Sequence, residues 1–78
     1  MRAEARKRAV AGRVLEELPQ AVYRVELEGR QQVLAHAAGA VERNFVRLLP
    51  GDRVRVELAP HDPGRGRITR RLAETEEL

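Results

Sequence analysis

From Tyr23 to Glu28 apolar and charged side chains alternate without a break: Tyr23, Val25 and Leu27 take one parity, Arg24, Glu26 and Glu28 the other. Side chains of an extended backbone point to opposite faces with period two, so this segment is a strand with one buried and one wet face. The pattern returns where Val54, Val56 and Leu58 alternate with Arg53, Arg55 and Glu57. A chain of 78 residues has room for one domain. At that length only about 60% of the unfolded surface is buried, so stability is marginal. There is no Cys to reinforce it through disulfides or thiolate–metal bonds. With 42% apolar but only 3% aromatic residues, the core is small and aliphatic beneath a heavily ionised surface.

The remaining segments read around these two strands. Ala9–Glu16 is a first strand, with Gly12 marking a bend or bulge. Leu18-Pro19-Gln20 turns the chain, and Glu28-Gly29-Arg30 makes a tight hairpin turn. Gln31–His36 is a third strand with Val33 and Ala35 inward. Val41, Phe45 and Leu48 then recur at helical spacing, which predicts a short helix or helical loop over 41–49, ended by Pro50-Gly51-Asp52. Arg53–Leu58 is the fourth strand, Ala59–Arg65 a loop and Gly66–Leu72 the fifth strand. Residues 1–8 are a basic tail, 9–72 the domain and 73–78 a solvated acidic tail. This order predicts an all-β fold: a five-stranded OB-fold barrel with a short helical segment between strands 3 and 4. A small SH3-like barrel is the rival, and it usually lacks a helical insert there.

The residue types present argue against catalysis. There is no Ser or Cys, the single lysine Lys7 lies in the tail, and Thr69 and Thr75 are the only aliphatic hydroxyls. Covalent catalysis needs a nucleophile beside a base. Two histidines, His36 and His61, are too few for a typical zinc site. His36 reads as a packed or hydrogen-bonded strand residue. The pairs Glu16/Glu17 and Glu26/Glu28 read as solvated carboxylates, with no pocket to separate their pKa values. The expectation is a non-enzymatic protein with no cofactor and no metal. No apolar run approaches the roughly 20 residues of a membrane span, and no apolar segment follows Met1–Arg8 as a secretory signal requires. A cytoplasmic protein is expected, with no membrane partner.

Charge carries the functional signal. Residues 1–72 hold fifteen bases against nine acids, a net of +6, and fourteen of the bases are Arg. Arg grips phosphate with a planar fork of donors and stacks on bases. A GC-rich genome also raises the Arg count, but codon preference does not set where the arginines fall. Arg43 and Arg47 are four apart on the helical segment and share a face. Arg65 and Arg67 flank Gly66 at the start of the last strand, and His61 lies in the preceding loop. On that strand simple alternation puts Arg67 and Arg71 outward and Arg70 on the side of Ile68. Arg53 and Arg55 read as an ordinary solvated strand face. Two basic patches around one barrel rim would bind RNA in a salt-dependent way. Only Tyr23 and Phe45 are aromatic. Tyr23 reads as core, Phe45 either as core or as an exposed stacker, so an extended base-stacking platform is absent. Docking on structured RNA fits this better than general single-stranded RNA binding of the cold-shock type, which is the alternative. A protein-interaction barrel is a third possibility.

Several segments in order resemble bacterial translation initiation factor one. They are Gly12-Arg13-Val14-Leu15-Glu16-Glu17-Leu18-Pro19, Tyr23-Arg24-Val25-Glu26-Leu27, Ala35-His36 with Gly39, Arg43-Asn44-Phe45-Val46-Arg47, Pro50-Gly51-Asp52-Arg53-Val54, and His61-Asp62 with Gly66-Arg67-Ile68. The resemblance covers about residues 10–71. It implies an OB-fold barrel on the A-site decoding region of the small ribosomal subunit, touching rRNA and neighbouring ribosomal proteins and assisting the other initiation factors as a monomer. Carried over, the RNA-contacting loop corresponds to residues 39–47 and the last-loop contacts to 61–67, while Arg71 matches a family arginine. The implied RNA-binding set is Arg43, Asn44, Phe45, Arg47, His61, Arg65, Arg67 and Arg71. Ala40 and Glu42 stand where basic residues are usual, Phe45 and His61 where Tyr is common, and Arg70 where an aromatic is common. Loss of charge at 40 and 42 implies weakened or retuned binding, which the basic tail offsets in part. Both a principal factor and a divergent paralogue fit.

Overall fold

β1 (Arg8–Leu18) opens a meander that continues through β2 (Val22–Leu27) and β3 (Gln32–Ala37), followed by β4 (Arg53–Ala59) and β5 (Asp62–Leu72). The computed structural model describes residues 8–37 and 47–77. The strands close into a barrel in the order β1-β2-β3-β5-β4, all neighbours antiparallel except the parallel β3–β5 pair. Closure leaves no free sheet edge among the described strands, and with it the expected five-stranded OB-like barrel is present. The expected helical segment lies largely outside the described residues, and Arg47–Leu49 at its end have no regular structure.

The inward parity of each strand supplies the core: Val14, Tyr23, Val25, Leu27, Val33, Ala35, Val54, Val56 and Ile68, joined by Leu48 from the β3–β4 connection. Burying such a side chain stabilises by about 1.5–3 kcal/mol, so the interior of this short chain depends on aliphatic packing. Gly12 sits in regular register, opposite Leu27 on one side and Val54 on the other. The bulge expected there falls instead between Val14 and Glu16. Glycine is required at position 12 for space: a Cβ would lie 2.6 Å from Val25 Cγ1 and 2.9 Å from Leu27 Cδ2.

Pro19–Ala21 and Glu28–Arg30 form the two meander turns, the first with Gln20 and Ala21 in left-handed backbone at φ 66° and 58°. In the second, Gly29 and Arg30 take φ values of 81° and 71°, which fits the expected tight hairpin. Several boundaries differ from the sequence expectation: β1 runs on to Leu18, β3 spans Gln32–Ala37 and β4 ends at Ala59. Arg8, assigned to the tail, begins β1 opposite Leu58. The loop expected over Ala59–Arg65 contracts to Pro60 and His61, because β5 already begins at Asp62. Asp62 pairs with Ala59 but Gly66 with Leu58, so the intervening residues bulge out of the β4 ladder, and β3 takes up Arg65 opposite Leu34. Residues 73–77 are mostly exposed, as expected of a solvated segment, but they form a turn closed by Glu76 N donating to Ala73 O at 3.1 Å.

Candidate nucleic-acid interface

β5 brings two of the expected arginines beside β3. The parallel register sets Leu34 against Arg65, Ala35 against Gly66 and His36 against Arg67. On its other side Gly66 permits the close approach of β5 to β4, since a Cβ there would lie 2.7 Å from Glu57 O. Arg65 is 68% exposed and its Nε lies 3.7 Å from Asp62 Oδ2. Asp62 is itself turned toward the chain by the bond from Gly64 N to its Oδ1, at 3.1 Å. His61 is exposed in the adjoining β4–β5 turn.

Arg67 is 42% exposed and donates from Nη2 to Glu57 Oε1 at 3.3 Å. Arg55 donates from Nη1 to the other Glu57 oxygen at 3.2 Å and to Thr69 Oγ1 at 2.8 Å. Glu57 thus lies between two guanidinium groups. Partial burial pushes its carboxyl up, but the hydrogen bonds and charges of Arg55 and Arg67 outweigh this and hold it below the usual carboxylate range. One acid holds two bases in fixed positions and leaves the cluster with a net positive charge. A shallow cleft of about 250 Å³ opens beside them, lined by His36, Leu58, Ala59, Pro60 and Gly66 together with Glu57 and Arg67. It offers donors for phosphate and an imidazole for base or sugar contact.

A bulge decides which arginines join this face. Ile68 pairs with Val56 and Arg70 with Arg55, so Thr69 is the extra residue. An extra residue inverts the parity of the chain beyond it. Arg70, not Arg71, therefore shares the outward face of Arg67, reversing the expectation from alternation. Arg71 pairs with Val54 and stands 4.0 Å from Asp52 Oδ2, still 55% exposed.

Arg47 is exposed directly before buried Leu48. Its segment is held in place by the Leu49–Asp52 turn. Leu49 N donates to Asp52 Oδ2 at 2.9 Å, and Val14 N and Gly51 N bond to Asp52 O and Val14 O at 2.9 and 2.8 Å. Burial and the Glu17 charge push the Tyr23 phenol up, and the Arg47 charge pulls it down in part. Tyr23, the only aromatic among the described residues, is 6% exposed and part of the core. Arg43, Asn44 and Phe45 lie outside the described residues.

His36 departs from the sequence expectation: it is exposed, not packed. Its parity, opposite to that of Val33 and Ala35, is the signal that places it outward. Arg53 and Arg55 also differ from a merely solvated face, since both hydrogen-bond to protein partners.

The family model described as Translation initiation factor 1A / IF-1 matches residues 2–78 of this chain. The solution structure of translation initiation factor one from the Wolbachia endosymbiont strain TRS of Brugia malayi superimposes with a TM-score of 0.71. The two share 39% identity, over 88% of this chain and 82% of that one. YjeQ from Thermotoga maritima superimposes with a TM-score of 0.66 at 23% identity, over 87% of this chain but 24% of the other, a likeness of fold alone. A closed five-stranded barrel with an arginine-bearing face, a family match along nearly the whole sequence and an initiation factor as structural neighbour agree: this chain belongs to the translation initiation factor 1A / IF-1 family.

Proposed function

We propose that this chain acts in the cytoplasm as a monomeric, non-enzymatic initiation factor that binds the small ribosomal subunit at the A-site decoding region. It works there through rRNA contacts, beside ribosomal proteins and the other initiation factors. The observation that carries the reading is Arg65 and Arg67 close together on β5, with Arg67 against His36 of β3, in a chain whose family is that of an initiation factor. Arg67 fixed by Glu57 is a preorganised phosphate donor. Arg65, His61, Arg71 and Arg47 are exposed around the same small barrel, and Arg43, Asn44 and Phe45 complete the set from the β3–β4 connection.

Phosphate contacts fix orientation, while shape selects a folded RNA. No base-stacking platform exists among the described residues, because Tyr23 is buried, so general single-strand binding of the cold-shock type has little support. Binding to isolated small subunits, measured for the wild type, Arg47→Ala and Arg67→Ala, tests the proposal. Each substitution is expected to weaken affinity on the order of tenfold and to flatten the salt slope by about one unit. Undiminished affinity in both variants would remove the proposed interface.

A further inference from the structure

A second cluster of arginines lies where β1, β4 and β5 meet the C-terminal turn. Arg13 and Arg53 are direct cross-strand partners, an arrangement of like charges that is unfavourable unless an anion lies between them. The chain supplies that anion itself. Arg13 Nη2 and Nη1 donate to Glu74 Oε1 and Oε2 at 2.6 and 2.9 Å, a two-pronged contact, and Nη1 also reaches Gly51 O at 2.9 Å. Arg53 Nη1 donates to Ala73 O at 3.0 Å and to Glu76 O. Arg70, turned outward by the Thr69 bulge, pairs with the Glu76 carboxylate. Ala73 N donates to the other Glu76 oxygen at 3.0 Å, which shapes the turn for its role.

We propose that Arg13, Arg53 and Arg70 form a second phosphate-binding surface, covered by the chain's own Glu74 and Glu76 and opened when RNA phosphates displace them. The fork between Arg13 and Glu74 is the geometry that arginine uses on a phosphate. The covering contacts are suited to exchange. Arg13 and Glu74 are 50% and 65% exposed, and Arg70 is 52% exposed, so salt screens them and water competes for them. The Arg13 guanidinium keeps the Glu74 carboxyl below the usual range, and the Ala73 amide and Arg70 do the same for Glu76. Both therefore carry charge at neutral pH. A weak polyanion meets a closed surface; an RNA presenting several phosphates at once meets an open one. This inference rests on the reading of the chain as an RNA-binding factor.

The test is titration of a short RNA hairpin, at low and at physiological salt, with the wild type and with the Glu74→Gln/Glu76→Gln variant. Glu16→Gln/Glu17→Gln, which changes net charge equally at exposed β1 sites where the ion pair is with Arg24 and not with the cluster, is the control. The tail variant is expected to bind at least about threefold more tightly at low salt. Its dependence on salt is expected to steepen by about one unit per phosphate newly engaged. Adding Arg13→Ala should cancel that gain. An equal gain in the control would mean that net charge alone is at work and would overturn the proposal. Unchanged RNA affinity in the tail variant, alongside Arg67-dependent binding to small subunits, would overturn this inference alone. Absence of RNA and subunit binding in every variant would overturn the proposed function as well.

Discussion

At position 12 one hydrogen atom separates a closed barrel from a strained one. A methyl group there would lie 2.6 Å from Val25 Cγ1, and Val25 is completely buried, so the neighbour has nowhere to go. Gly12→Ala is expected to destabilise the protein by about 1–3 kcal/mol through overpacking, read as a lowered denaturant midpoint; an unchanged midpoint would contradict the packing described. The sequence marks Gly12 as unusual but leaves open why. A glycine that relieves a bulge and one that admits a crowded neighbour look identical until the facing strand is in place, and the facing residues here come from β2 and β4. His36 is the opposite case. Its outward direction follows from alternation alone, and only its residue type argued for packing.

Among the elements, the β4–β5 hairpin carries most of the chemistry, with Glu57 at its centre. The folded carboxyl titrates below its ordinary value of 4.5, so its contribution to stability is present above the unfolded carboxylate range and is lost as pH falls through the lower folded value. Glu57→Gln is expected to cost at most about 1 kcal/mol at pH 7, because Arg67 is partly solvated. The gap between variant and wild type should close as the pH falls below the carboxylate range in denaturant titrations. A gap that stays constant in acid would show that ionisation of Glu57 plays no part. The alternation of Val54, Val56 and Leu58 made β4 legible in advance, as the pattern from Tyr23 to Glu28 did for β2. β5 was legible as a strand from Gly66 to Leu72, but the facing of its side chains only as far as Ile68. Its start at Asp62 depends on β3 taking up Arg65, and the Thr69 bulge depends on the β4 ladder. Both are properties of partner strands, which a local pattern does not contain.

For the whole molecule, closure turns the five described strands into one barrel with no free edge among them, and charge is then distributed over its outer surface. One basic group lies along β3 and β5, where Arg67 is oriented by Glu57. Another lies at Arg13, Arg53 and Arg70 beneath the acidic turn. Net charge and Arg content pointed to an anionic partner from the sequence. The pairing that frees some arginines and covers others appeared only with the fold, because it joins residues as far apart as Arg13 and Glu74. The central claim is that this barrel seats on the free small ribosomal subunit. Cofractionation on a density gradient tests it most directly: the protein is predicted to travel with free small subunits and to be absent from assembled ribosomes. Equal association with both, or migration with neither, would contradict the account.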